Sequence, residues 1–252
     1  MKEKPKIALI GYGRMGMELH RTIEERGWPA PLIVDPMTEP GYESIDDLIG
    51  RGAQVCIEFT TPGQAARNII SCVQSGLPVV SGTTGWEEDR EAVQRAVEKA
   101  QGACIHANNF SIGVYLFRRI ATFAASLLDG FPAYDYALHE IHHTGKIDAP
   151  SGTALTLAAQ MLAGSHRKSS IETKLPDGAV DPASLYVTST RVGSVIGEHR
   201  LLIDSEADGM EISHHAKGRR GFAEGALLAA QWIYDKKGMY TLEDMIDDIT
   251  ED

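Results

Sequence analysis

The chain has 252 residues, with 24 basic and 35 acidic side chains and a formal charge of −11. That balance excludes a nucleic-acid backbone or an anionic membrane as the main partner, and no apolar run approaches the roughly 20 residues needed to span a bilayer. An apolar fraction of 43% against 23% charged is ordinary for a globular protein, large enough for one big domain or two modest ones. Met1 to Lys6 is charged and leads straight into an apolar run, which reads as the absence of a signal peptide. Cys56, Cys72 and Cys104 form no C-x-x-C pair and lie in apolar runs, so they read as buried hydrophobes in a reducing, cytoplasmic setting.

In chain order, Ile7 to Ile10 is a wholly apolar run, as expected for a strand covered on both faces. A helical pattern from Arg14 to Arg26 stops at Gly27, and Leu32 to Val34 reads as the next strand. Val55 to Phe59, Leu77 to Val80 and Ala103 to Ala107 are further strands, separated by helices over Gly63 to Ser75 and Glu87 to Ala100. Strict alternation of strand and helix predicts a parallel sheet with right-handed crossovers. After Asn109 the pattern changes. A long apolar helix, Ile112 to Leu128, precedes a strand from Tyr134 to His142 and a helix from Gly152 to Leu162. Ser165 to Pro182 reads as a polar surface loop, and three strands follow without an intervening helix: Tyr186 to Arg191, His199 to Asp204 and Met210 to His215. Helices over Phe222 to Tyr234 and Leu242 to Ile249 close the chain, with an acidic, frayed tail over residues 244–252. The expected class is α/β: a Rossmann-like parallel sheet over residues 1–109, an α+β unit with an open mixed sheet over 110–220, and C-terminal helices over 221–252 that return to the first domain.

Gly11-Tyr12-Gly13-Arg14-Met15-Gly16 is a G-x-G-x-x-G turn placed between a strand and a helix. Gly11 permits the tight turn, Gly13 leaves room for a pyrophosphate, and Gly16 lets helix and strand approach. The helix N-terminus then offers free N–H groups and a positive dipole end to the phosphates. Asp35 ends the second strand about 20 residues after Gly16, the spacing of a ribose-binding carboxylate. A carboxylate there accepts from a 2′-hydroxyl and repels a 2′-phosphate. Pro36, Met37 and Thr38 bring no cation, so NADH is expected to be preferred, with NADPH a possible second cofactor.

His139-Glu140-Ile141-His142-His143 spells H-E-x-x-H, the motif of zinc peptidases. That chemistry needs a helix, and the preceding Tyr134 to Leu138 favours strand, in which residues four apart stand about 13 Å apart. No metal is therefore expected. The same stretch offers a different site. His142, His143 and Lys146 cluster in an acidic protein just before Pro150-Ser151-Gly152-Thr153, where Ser151 is an N-cap candidate. A helix N-terminus flanked by two histidines and a lysine suits a carboxylate-bearing substrate, with His or Lys as proton donor.

The run from His142 to Ala154, H-H-T-G-K-I-D-A-P-S-G-T-A, resembles the signature of the 4-hydroxy-tetrahydrodipicolinate (dihydrodipicolinate) reductase family. The resemblance covers nearly the whole chain. It includes Gly13 to Gly16, Gly82-Thr83-Thr84-Gly85, Asn109 to Val114, Gly197-Glu198-His199, and Arg219 with Phe222 to Ala226. It implies an NAD(P)H-dependent reductase of lysine and diaminopimelate biosynthesis that acts on a cyclic dicarboxylate. Loss of the 4-hydroxyl as water, hydride transfer and protonation would follow, with hinge closure of two domains. It also implies a homotetramer built through the second sheet. Carried onto this sequence, it assigns cofactor contacts to Gly11, Tyr12, Gly13, Arg14, Met15 and Gly16, to Asp35, to Gly82, Thr83 and Thr84, and to Ala107, Asn108, Asn109 and Phe110. It assigns His142 and Lys146 to acid–base chemistry, and His143, Ser151, Gly152 and Thr153 to the substrate. The alternatives are another two-domain dehydrogenase, such as an amino-acid dehydrogenase, which has no need of the H-H-x-x-K and S-G-T groups, and a non-catalytic dinucleotide sensor, which would lose them.

Overall fold

The computed structural model describes residues 4–37, 44–45 and 48–251. The chain forms two compact units, one built from the residues up to Ser111 together with those from Arg219 onward, the other from Ile112–Gly218.

The first unit holds a six-stranded sheet of β1 (Ile7–Ile10), β2 (Leu32–Val34), β3 (Val55–Glu58), β4 (Val79–Ser81), β5 (Ala103–His106) and β11 (Gly238–Tyr240). Its order is β11-β5-β4-β3-β1-β2, and every pairing is parallel. β1, β3 and β4 are buried along their whole length, which is why their sequences are unbroken apolar runs rather than alternations. The crossovers are α1 (Arg14–Glu25), α2 (Pro62–Gln74) and α3 (Arg90–Ala100), the last preceded by a single 3-10 turn over Glu87–Asp89. Cys56, Cys72 and Cys104 are free and buried in this core. The C-terminal α6 (Arg220–Ile233) packs against α1 and strands β3, β4 and β5. Gly225 makes that contact possible, since a Cβ there would stand 1.7 Å from the Phe110 carbonyl oxygen.

The second unit is a mixed sheet, β10-β9-β6-β8-β7, with the helices α4 (Ile112–Leu128) and α5 (Gly152–Ala163). Its strands are β6 (Asp135–His142), β7 (Ser170–Glu172), β8 (Ser184–Arg191), β9 (Glu198–Asp204) and β10 (Gly209–His215). β6 pairs parallel with β8 and antiparallel with β9. Phe117, Ala121 and Ala125 of α4 and Leu157, Ala158 and Met161 of α5 share one core with Tyr136 and Leu138 of β6.

Three features depart from the sequence reading. β7 lies within the expected surface loop, where its three residues pair with β8. Beside it the buried Lys168 ammonium donates to Asp135 Oδ1 at 2.6 Å and to the carbonyls of Pro182 and Ser184, both at 2.9 Å. β11 was not anticipated, because three residues carry no periodicity; it forms because β5 offers a free edge. The tail is helical rather than frayed through most of its length. α7 (Leu242–Glu251) buries Met245 and Ile246, and Thr241 and Asp244 cap it reciprocally, with Thr241 N donating to Asp244 Oδ2 at 2.7 Å and Asp244 N to Thr241 Oγ1 at 3.2 Å.

Candidate active site

Parallel pairing brings the C-terminal ends of β1, β3, β4 and β5 to one edge of the first sheet, the edge where ligands bind in open α/β sheets. The glycine turn sits there, with Gly11 at φ +92° and a hypothetical Cβ only 2.2 Å from Phe59 O. A Cβ on Gly16 would stand 2.3 Å from Gly11 O, so helix and turn touch backbone to backbone. At Gly13, by contrast, a Cβ would meet nothing within 4 Å, and the turn is open on the side a pyrophosphate needs. Asp35 faces the turn: Tyr12 N donates to its Oδ2 at 2.6 Å and Met37 N to its Oδ1 at 2.8 Å.

A cleft of about 210 Å³ is lined by Met15, Gly82 and the run Ala107 to Phe110. These predicted cofactor residues come from three separate segments, the first turn of α1 and the stretches after β4 and β5. Phe59, Arg219 and Phe222 complete the lining and had no assigned role. The segment after β4 is held from below by a buried carboxylate, Glu58, which accepts from Ser81 Oγ at 2.7 Å and Thr83 Oγ1 at 2.9 Å. Thr83 O in turn lies 3.1 Å from His106 Nε2. This arrangement fits the redox end of a dinucleotide, and Gly13 and Asp35 fit its phosphate and ribose.

In the second unit, α5 begins at Ser151, whose Oγ accepts from Ala154 N at 3.2 Å, a true N-cap. Gly152 is exposed and Thr153 half-buried at this helix start. His143 is exposed in the turn after β6, which Thr144 N ties to Gly193 O at 3.2 Å. The Lys146 ammonium is paired with Asp148, at 2.7 and 3.0 Å from its two oxygens. That ion pair, helped by the Gly152 N–H, holds the Asp148 carboxyl below its ordinary range. Asp148 thus places a carboxylate against both the Lys146 ammonium and the Gly152 N–H.

His142 is buried at the end of β6, and its ring approaches Gly197 so closely that a Cβ there would lie 3.1 Å from Nε2. On the other side of the ring lies Glu140, fully buried. Glu140 Oε1 accepts from Ser151 N at 2.9 Å, Arg191 Nη2 at 2.8 Å and Ser189 Oγ at 3.0 Å. Its Oε2 faces His142 Nδ1 at 3.4 Å and His199 Nε2 at 3.8 Å. Burial pushes the His142 pKa down, and Glu140 pulls the other way. His199, more deeply desolvated and beside His142, is driven down to about 4. Burial would raise Glu140, but the bonds from Ser151 and Arg191 overcome it and hold the carboxyl below its usual value.

The H-E-x-x-H histidines do not meet. Alternation along β6 turns Glu140 and His142 to the helix-covered face, while His139 bonds Thr188 Oγ1 at 2.7 Å on the other. The group that does assemble, Glu140, His142 and His199, draws one member from β9. A dication would suit such donors, but Arg191 already neutralises the same carboxylate and Lys146 adds a further positive charge near His142. Sequence reading gave Arg191 no place and quoted His199 only within the Gly197-Glu198-His199 motif, without a role. Arg191 also donates to the backbone carbonyls of Lys146 and Asp148, so it clamps the loop between β6 and α5.

Comparison with known proteins matches residues 5–110 to the family described as dihydrodipicolinate reductase, N-terminus, and residues 113–246 to dihydrodipicolinate reductase, C-terminus. The 4-hydroxy-tetrahydrodipicolinate reductase of Christiangramia forsetii is 37% identical, over 96% of this chain and 98% of the relative. That of Neisseria meningitidis is 32% identical over 96% and 97%. A solved dihydrodipicolinate reductase from Paenisporosarcina sp., with dipicolinate bound, superposes with a TM-score of 0.76 at 25% identity, over 96% of this chain and 99% of that one. An amine dehydrogenase from Mycobacterium smegmatis shares the fold alone, with a TM-score of 0.58 at 9% identity. Fold and matches together define a pyridine-nucleotide-dependent oxidoreductase of the lysine and diaminopimelate pathway. The chain belongs to the dihydrodipicolinate reductase family. No helix among the described residues is long and apolar enough to cross a membrane.

Proposed function

We propose that the chain reduces 4-hydroxy-tetrahydrodipicolinate to tetrahydrodipicolinate, using NADH in preference to NADPH. The observation that carries this reading is the start of α5. An N-capped helix end, with Gly152 and Thr153 at its mouth, stands beside Lys146, His142 and His143 in a protein of net negative charge. The first unit is assigned to the dinucleotide, held by Gly11, Tyr12, Gly13, Arg14, Met15, Gly16, Asp35, Gly82, Thr83, Thr84, Ala107, Asn108, Asn109 and Phe110. The second is assigned to the substrate.

The bound dinucleotide supplies the hydride. The remaining work falls to the chain. Gly152 and Thr153 N–H groups, with Ser151 and His143, hold a ring carboxylate and so fix the ring's orientation. The carboxylate displaces Asp148 from Lys146. The C4 hydroxyl leaves as water together with a proton from the neighbouring ring carbon, which puts a double bond between the two carbons; hydride addition to the conjugated ring then leaves an electron-rich carbon, to which Lys146 gives the proton, and His142 supports it or shares it. Cationic groups in a desolvated site stabilise the charge that develops. The assembly is a cytoplasmic homotetramer built through the second sheet, whose edge strand β10 exposes Met210; sedimentation velocity tests the stoichiometry. The activity is tested by following NADH oxidation that depends on the condensation product of pyruvate and aspartate semialdehyde. Absence of oxidation with purified protein would remove the assignment.

A further inference from the structure

Among the described residues, Glu140 Oε2, His142 Nδ1 and His199 Nε2 are buried side-chain atoms without a hydrogen bond, and they lie within 4.8 Å of one another. Three unsatisfied polar atoms in one place are costly, at about 1–3 kcal/mol each, and call for a reason. The cluster is closed on one side by Phe117 of α4, whose ring centroid lies 6.4 Å from that of His199 and 6.2 Å from that of His214. His142 and His199 meet edge to face at 5.5 Å. The other oxygen of Glu140 is fully committed, to Ser151 N, Arg191 and Ser189. The carboxylate therefore cannot turn away, and its free oxygen stays aimed at the two imidazoles.

We infer that Glu140 is the positioning residue for proton delivery: Oε2 receives the Nδ1–H of His142, which leaves Nε2–H, on the Gly197 side of the ring, as the bond that gives up its proton, while Oε1 ties the same carboxylate to the backbone N–H of the α5 N-cap. His199 is a second, weaker claimant on Oε2, being farther from it. The inference rests on the reading of His142 as sharing in acid chemistry. In the step itself the Nε2–H bond of the imidazolium breaks as a C–H bond forms from the electron pair left by hydride addition. His142 is left neutral, retaining its Nδ1–H, and solvent restores the Nε2 proton. One carboxylate then sets both where the proton donor points and where the substrate carboxylate lies, because Ser151 N is its other partner.

The charged and titratable groups facing His142 are Glu140 on its own strand, Lys146 and Asp148 in the following loop, Arg191 on β8 and His199 on β9; His214 on β10 faces His199. Of these, Glu140 is the anion nearest the ring, so its charge is the main force that keeps His142 able to carry a proton. Glu140→Gln keeps an acceptor for Ser151 N and removes the charge opposite Nδ1. The expected result is a loss in kcat of about tenfold or more, with the alkaline limb of the kcat–pH profile displaced to lower pH. Substrate KM and NADH affinity should stay within about twofold, since the Gln side chain still accepts from Ser151 N and so keeps the start of α5 in place. Glu140→Asp, which restores the charge, should return part of kcat and move the limb back. A folded Glu140→Gln enzyme with an unshifted limb, or with its loss confined to KM, overturns the inference. So does activity abolished by a chelator and restored by Zn²⁺. His142→Gln separates the two levels. If it turns over like wild type, the role of His142 fails; if it is crippled while Glu140→Gln keeps the wild-type profile, only the role of Glu140 fails. Should Glu140→Gln not fold, imidazole ¹⁵N spectra of the wild-type enzyme, with His142 assigned by comparison with His142→Gln, decide the matter. A neutral His142 protonated on Nδ1 supports the inference, and one protonated on Nε2 overturns it.

Discussion

Asp35→Asn is the substitution that most directly tests how the first unit chooses its dinucleotide. Two backbone amides, Tyr12 N at 2.6 Å and Met37 N at 2.8 Å, pin the carboxylate at the mouth of the glycine turn, so it cannot swing away from an approaching phosphate. Two unit charges about 4 Å apart interact by about 1 kcal/mol in water and about 4 kcal/mol at the effective dielectric of a protein surface. Asp35 is half-buried, and a 2′-phosphate carries more than one negative charge, so about 1 kcal/mol is a floor. That corresponds to at least about fivefold in affinity. The wild-type enzyme should therefore show a higher kcat/KM with NADH. Asp35→Asn should lower the NADH to NADPH ratio by about fivefold or more, mainly through a better KM for NADPH. KM for NADH should rise modestly, since a charge-assisted bond to the ribose becomes a neutral one. Raising salt from about 0.1 M to 1 M shortens the screening length from about 10 Å to 3 Å and should narrow the wild-type preference in the same direction. The assay is side-by-side steady-state kinetics with both cofactors. A wild-type enzyme that clearly favours NADPH, or a ratio that Asp35→Asn leaves alone, refutes the reasoning.

Thr153→Val and His143→Ala should each raise substrate KM by an amount corresponding to about 1.5–3 kcal/mol for one charge-assisted bond, with NADH titrations unchanged; an intact KM removes them from the carboxylate site. Lys146→Ala should lose about 10²–10⁴-fold in kcat while still binding NADH, and chelator should leave the wild-type rate untouched; near-normal turnover would exclude Lys146 as donor. Gly11→Ala forces a side chain into φ +92° and against Phe59 O, so it should lower Tm and weaken NADH binding together, as a thermal melt and a titration would show. Burial depresses the His199 pKa from 6.5 to about 4 in the folded state, so the unfolded chain binds the extra proton first; stability should be flat above pH 7, fall as pH drops from about 6.5 to about 4, and fall less in His199→Gln, as melts across pH would register.

What was legible in the sequence was what is local in the chain. β1 and α4 were read to the residue, the first because a four-residue run buried on both faces must be wholly apolar, the second because its long apolar stretch ends before a turn. The N-cap of α5 was legible for the same reason: Ser151 stands in one continuous stretch from His142 to Thr153, the stretch proposed above to hold a carboxylate. β7 and β11 escaped because neither is an apolar run, Ser170-Ile171-Glu172 being mostly polar and Gly238-Met239-Tyr240 opening on a glycine, and each exists only through a neighbour's edge. The placing of Arg191 and His199 beside Glu140 and His142 escaped because strand pairing, not proximity in sequence, brings them in. His142 stands opposite Arg191 on β8, and Glu140 stands between Ser189 on β8 and His199 on β9. Nothing short of the register of three strands identifies those partners.

That register is itself held by the core. The residues of β6 that face the helices are Tyr136, Leu138, Glu140 and His142, so a single face passes from packing to chemistry within four residues. Side chains alternate with a period of two along a strand, so a slip of one residue would send Glu140 and His142 to the open face and bring His139 and Ile141 inward. The same slip would pull Tyr136 and Leu138 out of the contacts they share with α4 and α5. The cost of losing two large apolar side chains from a packed core is several kcal/mol, about 2–5 for each. The hydrophobic half of β6 therefore enforces the placement of its polar half. Glu140 is buried and charged, yet it is kept at one position by apolar neighbours two and four residues before it on the same strand. A substitution such as Leu138→Ala, far from any reacting atom, should for that reason weaken the alignment of His142 with Glu140 as well as lower the stability of the second unit.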